Sequence, residues 1–179
     1  MGPEISTNIA SILRAMENVI IPAIDKNQSL AREQAYLTVI YLRMIQEQHD
    51  KIFHFRLLEI SEYSAILKSL LAKDYSSAAP DAAAAARQAL GDASALQTVQ
   101  LQAYDVFVCT ARALREAADA LVADLIRARG GDDAIEAEIA SLLIGQAGIE
   151  ALRERSWVAG LGLDPRPEQL QPLADLLRP

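Results

Sequence analysis

Four polar residues in the first half of the chain fall on one helical edge. His49, Arg56 and Tyr63 are spaced by sevens, in line with Leu42 and Leu70, and Glu59 stands one turn from both Arg56 and Tyr63. If this stretch is helical, the four side chains line the border of an apolar stripe, and a polar row in such a place must find partners. Arg56 carries the planar donor fork that grips a carboxylate or a phosphate, and His49 and Tyr63 can hydrogen-bond beside it. His49, Arg56, Glu59 and Tyr63 together are therefore a candidate site for a small anionic ligand. The same spacing also suits a plain Arg56–Glu59 ion pair within the helix, with His49 and Tyr63 satisfied by their neighbours. General acid–base chemistry at His49 is a further reading. It needs a carboxylate from another helix, which the linear sequence does not supply.

The other reactive side chains form poorer patterns. A dimetal centre in a helical bundle needs glutamates on several helices and Glu-x-x-His motifs. Neither His49 nor His54 follows a glutamate by three, and a spacing of five turns them to different faces, so no metal is expected. His54 lies on the polar face, where a phosphotransfer histidine would, but His54-Phe55-Arg56-Leu57-Leu58 lacks the glycine and the lysine of such modules. It reads as a solvated surface histidine. Cys109 has Asp105 and Arg112 nearby by helical spacing but no histidine to lower its pKa. Gly130-Gly131 lacks the lysine and the preceding strand of a phosphate loop. Trp157, with Ile149 and Leu152, suits a core or a docked tail. No catalytic residue and no cofactor is assigned.

Composition narrows the class. Apolar residues make up 51% of the 179 positions and aromatics only 5%, a balance for helices packed through alanine and aliphatic side chains rather than for a sheet sandwich. A net charge of −7 argues against nucleic acid, whose phosphates demand a basic surface. A single cysteine excludes an intrachain disulfide and a cysteine zinc cage, and fits a reducing cytosol. No run approaches the roughly 18 apolar residues of a membrane span. The N-terminal residues lack a basic stretch followed by an apolar one, so no signal peptide is expected.

The elements that must position the polar row are read from periodicity. Pro3 and Glu4 suit a first helical turn, and helix one runs through Ile9, Leu13 and Met16 until Pro22 ends or kinks it. Asn27 or Ser29 is the expected N-cap of the next helix. No glycine or proline occurs from Ala23 to Ala79, and residues 29–74 read as one long helix. It has two apolar stripes, one through Val39, Leu42, Ile45, Phe53, Leu57, Ile60 and Leu67, the other through Leu37, Tyr41, Ile52, Ile66 and Leu70. Unbroken, it would reach about 68 Å, so a bend or a projecting end is expected. Pro80 opens a short alanine-rich helix that Gly91 should stop. Ser94 and Gln97 form a capping-box pattern for a third helix reaching about Arg129. Asp132 and Asp133 open a fourth, in which Gly145 and Gly148 would permit close backbone approach. The fold class is all-α: an up-and-down four-helix bundle over residues 1–159, with a proline-punctuated tail, 160–179, docking on the bundle or on a partner through Leu170, Leu173, Leu176 and Leu177.

The opening segment, Ile12-Leu13-Arg14-Ala15-Met16-Glu17-Asn18-Val19-Ile20-Ile21-Pro22-Ala23 followed by Ala31-Arg32-Glu33-Gln34-Ala35, resembles a group of uncharacterised bacterial helical proteins. Their genes lie beside those for acyl-CoA dehydrogenases and aminoglycoside-phosphotransferase-like kinases. The resemblance covers about the first seventy residues and includes no catalytic signature. It implies a cytoplasmic protein with an accessory role in acyl-CoA or aromatic catabolism, and it transfers no site residue.

A helix with two apolar edges must touch partners on both. The sequence therefore favours a non-catalytic accessory or interaction protein, homo-oligomeric or bound to another protein, over an enzyme. The anion binder at the polar row is the alternative.

Overall fold

The computed structural model describes residues 4–96, 102–129, 131–162 and 164–177. It is all-α, with no strand among the described residues. Its main helices are α1 (Ile5–Ala15), α2 (Ile21–Ala23), α3 (Ser29–Gln48), α4 (Ile52–Leu71), α5 (Pro80–Leu96), α6 (Tyr104–Arg129), α7 (Asp133–Trp157) and α8 (Leu173–Leu176). No described helix is long and apolar enough to cross a membrane. The chain forms two compact units, one of residues 1–52 with 150–178, the other of residues 53–149.

In the first unit, helix one does not stop cleanly at Pro22. It widens into a π-turn over Met16–Ile20 and closes with the single turn α2, which holds the proline near its start. Proline lacks the N–H for the regular ladder, and one wide turn accommodates it. Pro3 lies outside the described residues. Glu4 is the N-cap of α1, and its carboxylate accepts the Thr7 hydroxyl at 2.9 Å. Ile9, Leu13 and Ile21 pack with Ala35 and Val39 of α3 into a small core. The N-cap of α3 is Gln28 rather than Asn27 or Ser29, without a side-chain cap. Asp25 takes the Asn27 N–H at 2.9 Å instead, so the polar connector closes on itself.

The stretch expected as one long helix is interrupted at residues 49–51. The cause lies in side chains rather than in a glycine or proline. The last carbonyls of a helix lack intrahelical donors. Here the Gln46 carbonyl takes His49 Nδ1 at 2.9 Å, and the Glu47 carbonyl takes Lys51 Nζ at 2.6 Å. The Gln48 carbonyl takes the Lys51 N–H at 2.8 Å. The Gln48 side chain is buried and donates to the carbonyl of Trp157 at the end of α7. Beyond α7, Arg155 grips Asp164 through two hydrogen bonds of 2.8 and 2.9 Å, tying the proline-rich segment back to the helix. Leu177 is buried, while Leu170, Leu173 and Leu176 are half-buried.

The second unit has a continuous core drawn from α4, α5, α6 and α7. Leu67, Leu114, Leu121 and Leu125 are fully enclosed. Here both expected apolar stripes are covered toward the C-terminal end of α4, Ile60 and Leu67 from one and Ile66 and Leu70 from the other, while Phe53 and Leu57 of the first stripe stay exposed. Such side chains contribute roughly 1.5–3 kcal/mol each on burial. The alanine run lets α5 lie close against α6 through Ala82, Ala83 and Ala86. Pro80 opens α5 as expected, but Gly91 does not stop it. A mid-helix glycine costs about 1 kcal/mol, and burial of Ala93 and Leu96 beyond it offsets that cost. Ser94 therefore sits inside α5, and its capping partner Gln97 is outside the described residues. The third expected helix starts at Tyr104, and its apolar face through Leu114, Leu121 and Leu125 is the one buried. Asp132 Oδ1 accepts the Ile135 N–H at 3.3 Å at the mouth of α7. Gly145 and Gly148 face open space, so no close approach accounts for them.

Candidate functional site

Arg56 and Glu59 lie one turn apart on α4, and their side chains meet at 2.5 Å. Glu59 is buried, and its second oxygen accepts from Arg115 of α6 at 3.3 Å. One carboxylate thus holds two guanidinium groups that are 59 positions apart in the sequence at their extremes. Arg56 Nε also donates to the Tyr104 hydroxyl at 3.2 Å. Partial burial pulls the Arg56 pKa down, but the hydrogen bonds to Tyr104 and Glu59 outweigh it and leave the pKa above its ordinary value. Arg56 is a permanent cation in this setting. Its guanidinium also lies over the Phe55 ring at 5.4 Å.

Tyr63 contributes its ring to this geometry. The Arg115 guanidinium lies over that ring, 5.1 Å from the centroid, a cation–π contact that steadies the arginine. Tyr104 is held in turn by Phe53, whose ring meets it edge-on at 5.2 Å and meets Phe107 at 5.6 Å. Such pairs are worth about 0.5–1.5 kcal/mol beyond area burial, enough to keep the phenol in one orientation beside Arg56.

These side chains border a pocket of about 160 Å³ lined by Arg56, Glu59, Val108, Ala111, Arg112 and Arg115. Val108, Ala111, Arg112 and Arg115 follow the i, i+3, i+4, i+7 rule, so one stripe of α6 forms an entire wall. The small side chain of Ala111 leaves the space open. Three guanidinium groups and one carboxylate line the pocket, so the lining carries an excess of two positive charges in a chain of net charge −7. Among the described residues no hydroxyl, thiol or imidazole lines the pocket. Its chemistry is donation to an anion, with Glu59 as the post on which Arg56 and Arg115 are oriented.

Of the four residues singled out from the sequence, Arg56, Glu59 and Tyr63 are gathered here. His49 is not: it caps α3, with Nδ1 carrying its proton toward the Gln46 carbonyl. Sequence spacing missed Tyr104, Arg112 and Arg115. Their signal was present, because Tyr104, Val108, Ala111, Arg112 and Arg115 keep to one helical edge, but nothing local says that this edge faces α4. His54 and Cys109 are exposed. The described residues hold no group of three or more His, Cys, Asp or Glu side chains placed to bind a metal ion.

A second pocket of the same unit, about 330 Å³, is bounded by Tyr75, Glu138 and Ser141 among others. Burial, then the nearby Glu138 charge, pushes the Tyr75 phenol up from its ordinary pKa, and Lys73 pairs with Glu138 at the surface. No family model, no curated protein and no solved structure matches this chain.

Proposed function

We propose that this is a non-catalytic binding protein whose arginine pocket takes a small oxyanion, a carboxylate or a phosphate. The observation that carries the reading is that Arg56, Arg112 and Arg115 line one space of about 160 Å³, with Arg56 and Arg115 sharing the Glu59 carboxylate. At about 30 Å³ per water, that volume suits an anionic head group rather than a whole nucleotide cofactor. Preoriented guanidinium groups bind such heads bidentately and lose little freedom in doing so. The resemblance of the opening segment to proteins encoded beside acyl-CoA enzymes favours an organic acid. The lone Cys109 favours a reducing compartment such as the cytoplasm.

The test is anion-induced thermal stabilisation, with inorganic phosphate and acetate compared against chloride at equal ionic strength. A bound ligand raises stability by RT ln(1 + [L]/Kd). The wild type should be stabilised by phosphate or acetate, and Arg56→Ala should abolish the effect while still unfolding cooperatively. Stabilisation that persists in Arg56→Ala, or that chloride reproduces, rejects the site.

One further observation favours self-association as a second property. Leu30, Leu37, Tyr41 and Ile45 form a stripe along α3 and are all exposed. The stripe carries no charge, so a second copy of the chain would meet it through a twofold contact. Light scattering should report a dimer that Tyr41→Glu converts to monomer. A wild-type monomer at high protein concentration removes this reading.

A further inference from the structure

The first unit contains a larger groove, about 670 Å³, between the π-turn and α2 on one side and α3 on the other. That volume lies within the usual range for small-molecule sites. Its floor is apolar: Ile21 and Val39 are buried there, and Ile24 and Ile40 are half-buried. Arg32, Tyr36, Val39, Ile40 and Arg43 follow one another at helical spacing along α3 and make up its wall. Arg32 and Arg43 are eleven residues apart, which is about 16 Å along a helix.

The charges are distributed unevenly. At one end Arg43 is paired with Glu17, which the π-turn presents to it. At the other end stand Lys26 and Arg32. Asp25, the carboxylate nearest Lys26 in sequence, is engaged with the Asn27 N–H. The N-terminus of α3 begins at the same end without a side-chain cap, and its unpaired N–H groups add partial positive charge. One end of an apolar trough is therefore cationic, and the other is neutralised.

We propose that this groove binds an amphipathic anion, with a carboxylate or sulfonate head at Lys26 and Arg32 and an apolar body lying over Ile24, Val39 and Ile40 toward Tyr36. The head supplies the acceptor that the two cations need. The body removes apolar surface from water, at about 25 cal/mol per Å² buried. This site is independent of the arginine pocket: it lies in the other unit and takes a ligand with a long apolar portion.

The probe is decanoate, kept below its aggregation threshold and compared with decanol and decyltrimethylammonium. Binding is followed by calorimetry and by methyl NMR. Decanoate should bind with micromolar to millimolar affinity and shift the methyl resonances of Ile21, Ile24 and Ile40. Decyltrimethylammonium should bind at least about tenfold more weakly, the scale of one charge-assisted contact. Arg32→Ala should weaken decanoate about tenfold with an unchanged melting profile, and Arg32→Glu should reverse the preference between the anionic and cationic probes. Should Arg32→Ala lose cooperative unfolding, Lys26→Ala carries the same expectation from a loop position. Equal binding of decanoate and decanol, shifts confined to Val108 of the arginine pocket, or unchanged affinity in both variants overturns the proposal. Arg32→Ala and Lys26→Ala should leave phosphate stabilisation of the arginine pocket unchanged, so the two proposals fail separately.

Discussion

Replacing Glu59 with glutamine keeps the shape of the side chain and removes the charge on which two arginines are oriented. The carboxylate is 8% exposed, and it accepts from Arg56 at 2.5 Å and from Arg115 at 3.3 Å. A hydrogen bond to a charged group is worth about 1.5–3 kcal/mol. The Arg56 bond is short and its side chain only 31% exposed, so it belongs in that range. The Arg115 bond is long and its side chain 43% exposed, so it contributes under about 1 kcal/mol. Glutamine retains one acceptor, but it turns an NH₂ donor toward a guanidinium, which cannot accept. The net cost of Glu59→Gln is therefore about 2–3 kcal/mol. For a chain of this size each kcal/mol is worth roughly 2–4 °C in Tm, so the melting temperature should fall by about 4–12 °C. Urea unfolding would confirm it as a shift of midpoint at constant m-value. In an Arg56→Ala background the same substitution should cost at least about 1 kcal/mol less, the coupling expected of groups in contact. A cost under about 0.5 kcal/mol in the otherwise wild-type protein would refute the reasoning. Arg56 and Arg115 would then be solvated ions around a carboxylate that does not hold them, and the preorganised anion pocket would go with it.

Two other predictions concern the helices and the tail. Gly145 and Gly148 occupy the interior of α7 with open space where a Cβ would sit. Gly145→Ala with Gly148→Ala should stabilise by about 1–2 kcal/mol in all, read as a raised Tm, and an unchanged or lower Tm would show that α7 needs them. Asp164 is held down to a pKa of about 2 by its hydrogen bonds from Arg155 and then from the Arg166 N–H. A carboxylate depressed in the folded state contributes stability that is complete above its ordinary pKa near 3.8 and lost as pH falls through about 2. Its carboxyl carbon should titrate near the lower value by NMR, and Arg155→Gln should move the midpoint upward. A wild-type midpoint near 3.8 contradicts the clamp.

Much of the fold was legible locally. The start of α5 at Pro80, the start of α7 beside Asp132 and the buried face of α6 through Leu114, Leu121 and Leu125 all follow from caps and apolar spacing. The errors share a cause. The break at residues 49–51 contains no helix-breaking residue, because His49 and Lys51 end α3 by donating to its last carbonyls. Gly91 was read as a stop, yet burial of Ala93 and Leu96 carries the helix past it. In each case side-chain contacts overrode propensity, which is a weak term beside packing.

The candidate site divides in the same way. Arg56 and Glu59 were visible as an i, i+3 pair, whereas Arg115, 56 positions beyond Glu59, was not. Arg153 carries a charge and is 1% exposed, a burial that no periodicity rule anticipates for an arginine.

By itself the sequence determined that this chain is helical, where α3, α5 and α7 begin, and which edge of most helices is apolar, because spacing of 3.6 residues per turn is a local property of the chain. Only the tertiary structure decided that α4 turns Arg56 and Glu59 toward α6, that His49 caps a helix instead of joining them, and that the second apolar edge is covered on α4 and bare on α3. Those outcomes depend on which faces meet, and the energy of that choice is spread over contacts between residues far apart in the sequence, where no local pattern records it.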